Sequence, residues 1–159
     1  LPCPPSTCSA MDGYAVRAAE VTGPCALPVA LTVYAGDAPP PPLAPGAAAR
    51  IFTGAPLPEG ADAVVREEVA RPEGGTVVFA AAARRGENVR LRGEDVAAGG
   101  LALPAGVRIG ARQAALLAAV GAGTVLVHRR PRIAVLATGD EIVAGRVGPE
   151  QSAARREFD

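Results

Sequence analysis

The chain has 159 residues and no formal net charge, because 16 basic residues, all arginine, balance 16 acidic ones. This balance argues against a general binder of nucleic acid or of anionic membranes. Apolar residues make up 49% and aromatic residues only 3%, so we expect a core of Val, Leu, Ile and Ala in one domain, or in one domain and a piece of another.

The three cysteines near the start of the chain, Cys3, Cys8 and Cys25, do not make a disulfide framework. We interpret them as reduced thiols of a cytoplasmic protein. The sequence has no signal-peptide pattern and no apolar run long enough to cross a bilayer. It begins without methionine in a proline-rich phrase, from which we expect a fragment of a longer protein.

Short strand patterns fill the first part of the chain, starting with Tyr14–Val16. Prolines 39–42 exclude a helix or a central strand there and predict an exposed loop. Gly74 and Gly75 predict a hairpin turn between two strands. The further predicted strands are residues 26–36, a run after the prolines in "ARIFTG", 62–69, 75–81 and 88–93. Strands at this spacing predict a small antiparallel barrel or sandwich.

The pattern changes after Gly100. Residues 111–123 contain strong helix formers and end in glycines, which predicts a helix. Residues 124–130 predict a strand, and residues 132–137, apolar on both faces, predict a buried parallel strand that opens an α/β unit. Ligands gather beyond the carboxyl ends of such strands, where Asp140 and Glu141 follow.

Acidic residues beside glycines are the first candidates for chemistry. They are Asp12, Asp37, the pair Glu94–Asp95 and the pair Asp140–Glu141. Carboxylates on loops can hold a hard cation such as Mg²⁺. Each of them, taken singly, is also explained as a turn former or a cap.

The phrase "RIFTGAPLPEGADAVV" adds a possible anion site. Backbone N–H groups around Thr53 and Gly54 could form an anion-binding nest, with the Thr53 hydroxyl as a further donor. The alternative is that Gly54 only shapes a turn. Four nearby arginines could bind phosphate, or their charges could simply be balanced on a surface strand; they are Arg84, Arg85, Arg90 and Arg92.

Five phrases in order make the chain resemble the MoeA family, the molybdopterin molybdenumtransferases, which are akin to the E domain of gephyrin. The phrases are "SAMDGYAVR", "RIFTGAPLPEGADAVVREE", "RGENVRLRGEDVAAG", "LPAGVRIG" and "RIAVLATGDEIV". The resemblance implies insertion of molybdenum from molybdate into adenylated molybdopterin, with release of AMP and with Mg²⁺.

The resemblance also assigns roles to residues. It implies that Asp12, Asp95 and Glu141 are catalytic and bind the metal. It implies that the substrate is bound by Thr53, Gly54, Arg92 and Asp140. The implied partners are small-molecule substrates and a second copy in a homodimer, without nucleic acid or membrane.

The implied fold is mixed α+β. Residues 1–98 would form a β-rich, barrel-like domain and residues 99–130 a linking segment with a helix. Residues 131–159 would begin a truncated, Rossmann-like molybdopterin-binding domain. The glycine-rich stretch that the family shows after Glu141 is replaced here by "GPEQSAARREFD", so we expect the fragment alone to be inactive. A non-catalytic dimerisation or docking scaffold and an inactive truncated gene product remain the alternatives.

Overall fold

The computed structural model describes residues 1–136, 138 and 139. The packing divides the chain into two units, Leu1–Val125 and Leu126–Asp159. The domain boundaries predicted at residues 98 and 130 remain predictions.

The first unit is built from eight short strands, two 3-10 helices and one α-helix. The strands are β1 Cys8–Ser9, β2 Gly13–Val16, β3 Cys25–Val33, β4 Ala48–Ile51, β5 Ala63–Arg66, β6 Ala70–Glu73, β7 Thr76–Phe79 and β8 Val89–Arg90; the 3-10 helices are Ala18–Glu20 and Glu67–Val69; the α-helix is α1 Ala111–Ala119. Short strands rich in Val and Ala are what this composition predicts, and helical structure is sparse among the described residues.

Six strands form one sheet in the order β5-β2-β4-β3-β7-β6, and β1 pairs with β8 in a second, two-stranded sheet. The larger sheet is mixed, because β3 and β4 run parallel while its other pairs are antiparallel. The expectation of a purely antiparallel sheet is therefore wrong. The proline-rich segment 34–47 explains the difference, since a connection of a dozen or more residues can return the chain for a parallel strand.

The large sheet is curled into a half-barrel, and both of its faces are covered. Its two edge strands, β5 and β6, are consecutive in the chain and joined only by the 3-10 helix Glu67–Val69, so the edges must approach each other. Successive residues of β2 point to opposite faces, as in any strand. Tyr14 packs in one apolar cluster with Phe79, and Ala15 packs in the other with Ile51.

The predicted hairpin is confirmed at Gly74 and Gly75, which connect β6 to β7. Both glycines have positive φ angles, 54° and 90°, the backbone that tight hairpin turns require and that side chains disfavour. The first strand of the hairpin is Ala70–Glu73, which lies between the strands predicted at 62–69 and 75–81, and it contains Pro72. Proline is tolerated there because β6 is an edge strand.

Residues 124–136 differ from their prediction. The described part of residues 124–136 forms no strand, so the predicted strands at 124–130 and 132–137 are not found there. Strands exist only where a neighbouring strand accepts their hydrogen bonds. Ile133, Val135 and Leu136 are each more than 80% exposed. No helix in the described part of the chain is long and apolar enough to cross a membrane.

Candidate functional site

Asp12 and Thr53, which are 41 residues apart in the chain, meet at one end of the large sheet. Gly13 of β2 pairs with Ile51 of β4 in an antiparallel ladder, which brings the residue before β2 beside the loop after β4. The Asp12 Oδ1 atom accepts two hydrogen bonds of 2.7 Å each, from the backbone N–H and from the hydroxyl of Thr53. The predicted pair of site residues is thus in direct contact.

These two hydrogen bonds favour the charged form of Asp12. Donation from the backbone and then from the hydroxyl of Thr53 lowers the pKa of Asp12 below its ordinary value, and the positive charge of Arg50 adds a smaller effect in the same direction. Desolvation opposes them and is larger than the contribution of Arg50, but the net shift of the Asp12 pKa is downward. Asp12 is therefore a carboxylate at neutral pH, as a ligand for a hard cation must be.

Gly13 lets another backbone approach closely. A Cβ atom at this position would collide with the carbonyl oxygen of Val65 and lie 3.0 Å from the Cα of Arg66. The approaching group is thus strand β5 rather than a ligand. Gly13 places β2 tightly between β4 and β5, and Asp12 emerges directly from this junction.

Arg50 supports the Asp12 loop through contacts with Gly13 and Glu67. It donates 3.2 Å to the carbonyl of Gly13 and is paired with the carboxylate of Glu67. Its guanidinium lies 5.1 Å from the ring centroid of Tyr14 and 4.8 Å from that of Phe52, within the range of cation–π contacts. Glu67 in turn donates its backbone N–H to the carbonyl of Asp12 at 3.1 Å, so Arg50 and Glu67 fix the loop together.

The predicted anion nest in the loop of Thr53 and Gly54 is not formed. The N–H of Thr53 donates to Asp12, that of Gly54 to the carbonyl of Ser9 at 2.8 Å, and that of Ala55 to the carbonyl of Phe52 at 2.9 Å. A nest would need these donors to be free. Instead, the positive φ of Gly54, 83°, turns the chain so that its N–H groups hold the loop to the neighbouring strands.

Asp95 forms an ion pair with Arg90. Arg90 donates to its Oδ2 atom at 2.5 Å, and this contact raises the pKa of Arg90. The thiol of Cys3 lies 3.8 Å from the same oxygen. Cys8, opposite Arg90 in the β1–β8 pair, is buried, and its burial raises the pKa of the thiol, so Cys8 is a neutral packing residue at pH 7.

The other arginines do not gather into the phosphate-binding group considered above. Arg92 is exposed, with its backbone N–H 3.3 Å from the Thr7 hydroxyl. Arg85 instead lies 3.6 Å from Asp62, and Arg84 donates its backbone N–H to Glu87. Asp37 accepts the N–H of Tyr34 at 2.7 Å in a local turn, as its reading as a turn former predicts.

Strand β1 contacts both the loop of Thr53 and strand β8, which carries Arg90. Ser9 donates to the carbonyl of Ala55 at 3.0 Å, next to the Thr53 loop, and Cys8 lies opposite Arg90. Within residues 1–136, no three His, Cys, Asp or Glu side chains converge on a point suitable for a metal. Asp12 and Asp95 therefore do not make a metal site on their own, and Asp140 and Glu141 lie outside the described residues.

Two residues that hold the site together were missed by the sequence reading. Arg50 could have been noticed as a lone charge in an apolar strand. Asn88 has a left-handed backbone, with φ 52°; its amide donates 2.9 Å to the carbonyl of Val64, and its carbonyl accepts the N–H of Ala10 at 2.9 Å. Asparagine before a strand is a weak signal for such a conformation.

Comparison with known proteins places this chain in a family. Residues 1–121 match the family described as MoeA N-terminal region (domain I and II). The chain is 45% identical over 140 residues to a molybdopterin molybdenumtransferase of Nostoc sp., covering 85% of this chain and 32% of that protein. It is 41% identical over 157 residues to molybdopterin molybdenumtransferase 1 of Mycobacterium tuberculosis, covering 85% of this chain and 36% of that protein.

A solved structure agrees in fold. The crystal structure of the molybdopterin biosynthesis MoeA protein from Pyrococcus horikoshii superposes with a TM-score of 0.69 at 39% identity, over 76% of this chain and 32% of that one. The chain spans about a third of the length of the curated relatives it matches. With its curled mixed sheet and the matched residues 1–121, the chain belongs to the MoeA family and corresponds to that family's N-terminal region.

Proposed function

We propose that this chain contributes one wall of an active site that inserts molybdenum from molybdate into adenylated molybdopterin and releases AMP. The observation that carries the proposal is the contact between Asp12 and Thr53, which holds an ionised carboxylate at a partly exposed loop. The names of the relatives, molybdopterin molybdenumtransferase, supply the reaction class.

The carboxylates fit a magnesium ion only in part. Asp12 offers the charged oxygen ligand that Mg²⁺ prefers, whereas Asp95 is paired with Arg90 and would have to exchange that partner. Magnesium usually keeps one or two carboxylates and completes its shell with water and substrate phosphate. We therefore assign Asp12 as a ligand, with Asp95 and Glu141 as further candidates; bound Mg²⁺ would neutralise charge on oxyanions.

The remaining site residues position Asp12 or bind the substrate in this proposal. Thr53 holds Asp12 in place, and Gly54 sets the turn that makes this possible. Arg92 is exposed and lies two residues after Arg90, and it offers a planar guanidinium for a phosphate or oxyanion. Asp140 lies outside the described residues and keeps its predicted role in substrate binding.

The experiment is a chimera in which this chain replaces the corresponding third of the Nostoc relative. We expect the chimera to convert molybdate and adenylated molybdopterin in the presence of Mg²⁺. Asp12→Asn should lower kcat/KM by about 100-fold or more, the scale of losing one charged ligand or transition-state contact. Glu59→Gln removes an exposed carboxylate elsewhere and should leave the rate unchanged. A fully active Asp12→Asn chimera would refute the assignment.

A non-catalytic dimerisation or docking scaffold is the second candidate. It would need no metal, so titration of Mg²⁺ against binding of adenylated molybdopterin separates the two functions. We expect binding to strengthen as Mg²⁺ rises and to lose this dependence in Asp12→Asn. An affinity for adenylated molybdopterin that does not depend on Mg²⁺ in either protein would favour the scaffold.

We also propose a homodimer in the cytoplasm. Helix α1 buries none of its residues completely, although Leu116 and Leu117 are apolar; a second copy would cover them. All three cysteines are free thiols, as a reducing compartment favours. Analytical ultracentrifugation of the chimera, with Leu116→Glu as the disrupting variant, checks the dimer.

A further inference from the structure

An aromatic stack stands beside the Asp12–Thr53 contact. The rings of Tyr34 and Phe52 are nearly parallel, with an angle of 9° and centroids 5.0 Å apart. The guanidinium of Arg50 also lies 4.8 Å from the Phe52 centroid. Phe52 thus contacts both Arg50 and Tyr34, whereas the Tyr34 ring is more than half exposed.

Tyr34 is exposed although its backbone is fixed. It is 56% exposed, and because Phe52 covers one side of the ring, we infer that this exposure includes the opposite side. Its N–H donates to Asp37 at 2.7 Å and its carbonyl accepts the Asp37 N–H at 3.2 Å. The preceding residue, Val33, is buried and accepts the N–H of Phe52. The ring is therefore presented by a rigid turn.

The stack borders the site rather than another surface. Phe52 directly precedes Thr53, and the Cβ of Ala35 lies 3.7 Å from the position that a Cβ on Gly54 would take. Aromatic residues make up only 3% of the chain. Three of them, Tyr14, Phe52 and Tyr34, are linked through Arg50 and this stack, whereas Phe79 is fully buried in the core.

We propose that Tyr34 is a stacking platform for a flat nitrogen heterocycle of the substrate. This inference rests on the proposed function, because the adenine and the pterin of adenylated molybdopterin are both rings of this kind. A further ring would continue the parallel stack on the exposed side of Tyr34. Stacking on an aromatic side chain contributes affinity with little dependence on hydrogen bonds, so Tyr34 holds the substrate while its reactive end lies toward Asp12.

The test compares Tyr34→Leu, which removes the ring, with Tyr34→Phe, which keeps it, in the Nostoc chimera. Tyr34→Leu should raise KM for adenylated molybdopterin about tenfold, in the range found for loss of one base-stacking contact. Its kcat should stay within about twofold, and Tyr34→Phe should change neither constant by more than about twofold. Leu101→Ala, another exposed apolar residue, is the control and should match the parent.

The outcomes separate this inference from the proposed function. An unchanged KM in Tyr34→Leu, or a fall in kcat alone, overturns the platform while the function stands. If the parent chimera has no turnover, the proposed function fails. The platform is then judged by binding of AMP and of 6-hydroxymethylpterin to the 159-residue chain at millimolar concentration. Weaker binding to Tyr34→Leu than to Tyr34→Phe supports it and identifies the ring; equal binding, or none, overturns it.

Discussion

At the scale of single residues, Asp12 shows how two short hydrogen bonds can fix the charge of a side chain that remains accessible. Its pKa is lower in the folded chain than in the unfolded chain. The resulting contribution to stability is therefore complete above the ordinary value of 3.8 and is lost as the pH falls through the lowered folded value. Asp12 keeps its negative charge throughout the neutral range.

The first prediction concerns this pKa. Thr53→Val removes the hydroxyl donor but keeps the backbone donor, so the titration midpoint of Asp12 should rise part of the way toward 3.8. Thr53→Ser keeps both donors and should leave the midpoint low. Carboxyl ¹³C NMR titration of the chain measures both. An unchanged midpoint in Thr53→Val would mean that the hydroxyl does not contribute.

The second prediction concerns Gly13. Gly13→Ala should reduce the free energy of unfolding by about 1–3 kcal/mol, the cost of overpacking, because the new methyl meets the backbone of β5. Gly23→Ala is the matched control, since a Cβ at Gly23 meets nothing within 4 Å. It should be neutral or stabilise by up to about 1 kcal/mol. Urea unfolding compares them, and equal losses would contradict the steric explanation.

At the scale of elements, the β6–β7 hairpin depends on the left-handed backbone of its turn. Gly75→Ala should cost about 1–2 kcal/mol, because an alanine there pays for a positive φ. Gly74→Asn should cost less than about 0.5 kcal/mol, since asparagine followed by glycine suits such turns. Thermal unfolding measures both, and similar losses would show that the turn conformation is not limiting.

Local patterns predicted most of these elements but not how they pair. The strands at 25–33 and 76–79, the turn between β6 and β7 and the helix at 111–119 all overlap their predictions. The parallel pairing of β3 with β4 was missed because it depends on the path of the proline-rich connection, not on the strands. The strand predicted at 132–137 failed because apolar residues alone do not supply a partner strand.

The sequence singled out Asp12 and Thr53 but not how they are held. The structure brings these two into contact, and their roles at a site remain predictions. The predicted nest failed because the loop uses its own N–H groups. The supporting roles of Arg50 and Asn88 arise from strands far apart in the sequence, which single motifs cannot reveal.

At the scale of the whole molecule, the half-barrel has its own apolar core. Its two buried clusters lie within residues 14–79, inside the unit Leu1–Val125. We therefore predict that a chain shortened to residues 1–125 unfolds in urea in one cooperative transition, with the midpoint of the 159-residue chain. Circular dichroism follows this unfolding. A broad, gradual transition would show that the core does not suffice.

Gly13 also controls the alignment of three strands. If β2 slid by one residue, Tyr14 would stand where only a glycine fits, against the carbonyl of Val65. The same slip would carry Asp12 about 3.3 Å along the strand, too far to keep its bonds to Thr53. Gly13 thus fixes the register of β2 against β5, and a misaligned sheet would lose its packing and its carboxylate site together.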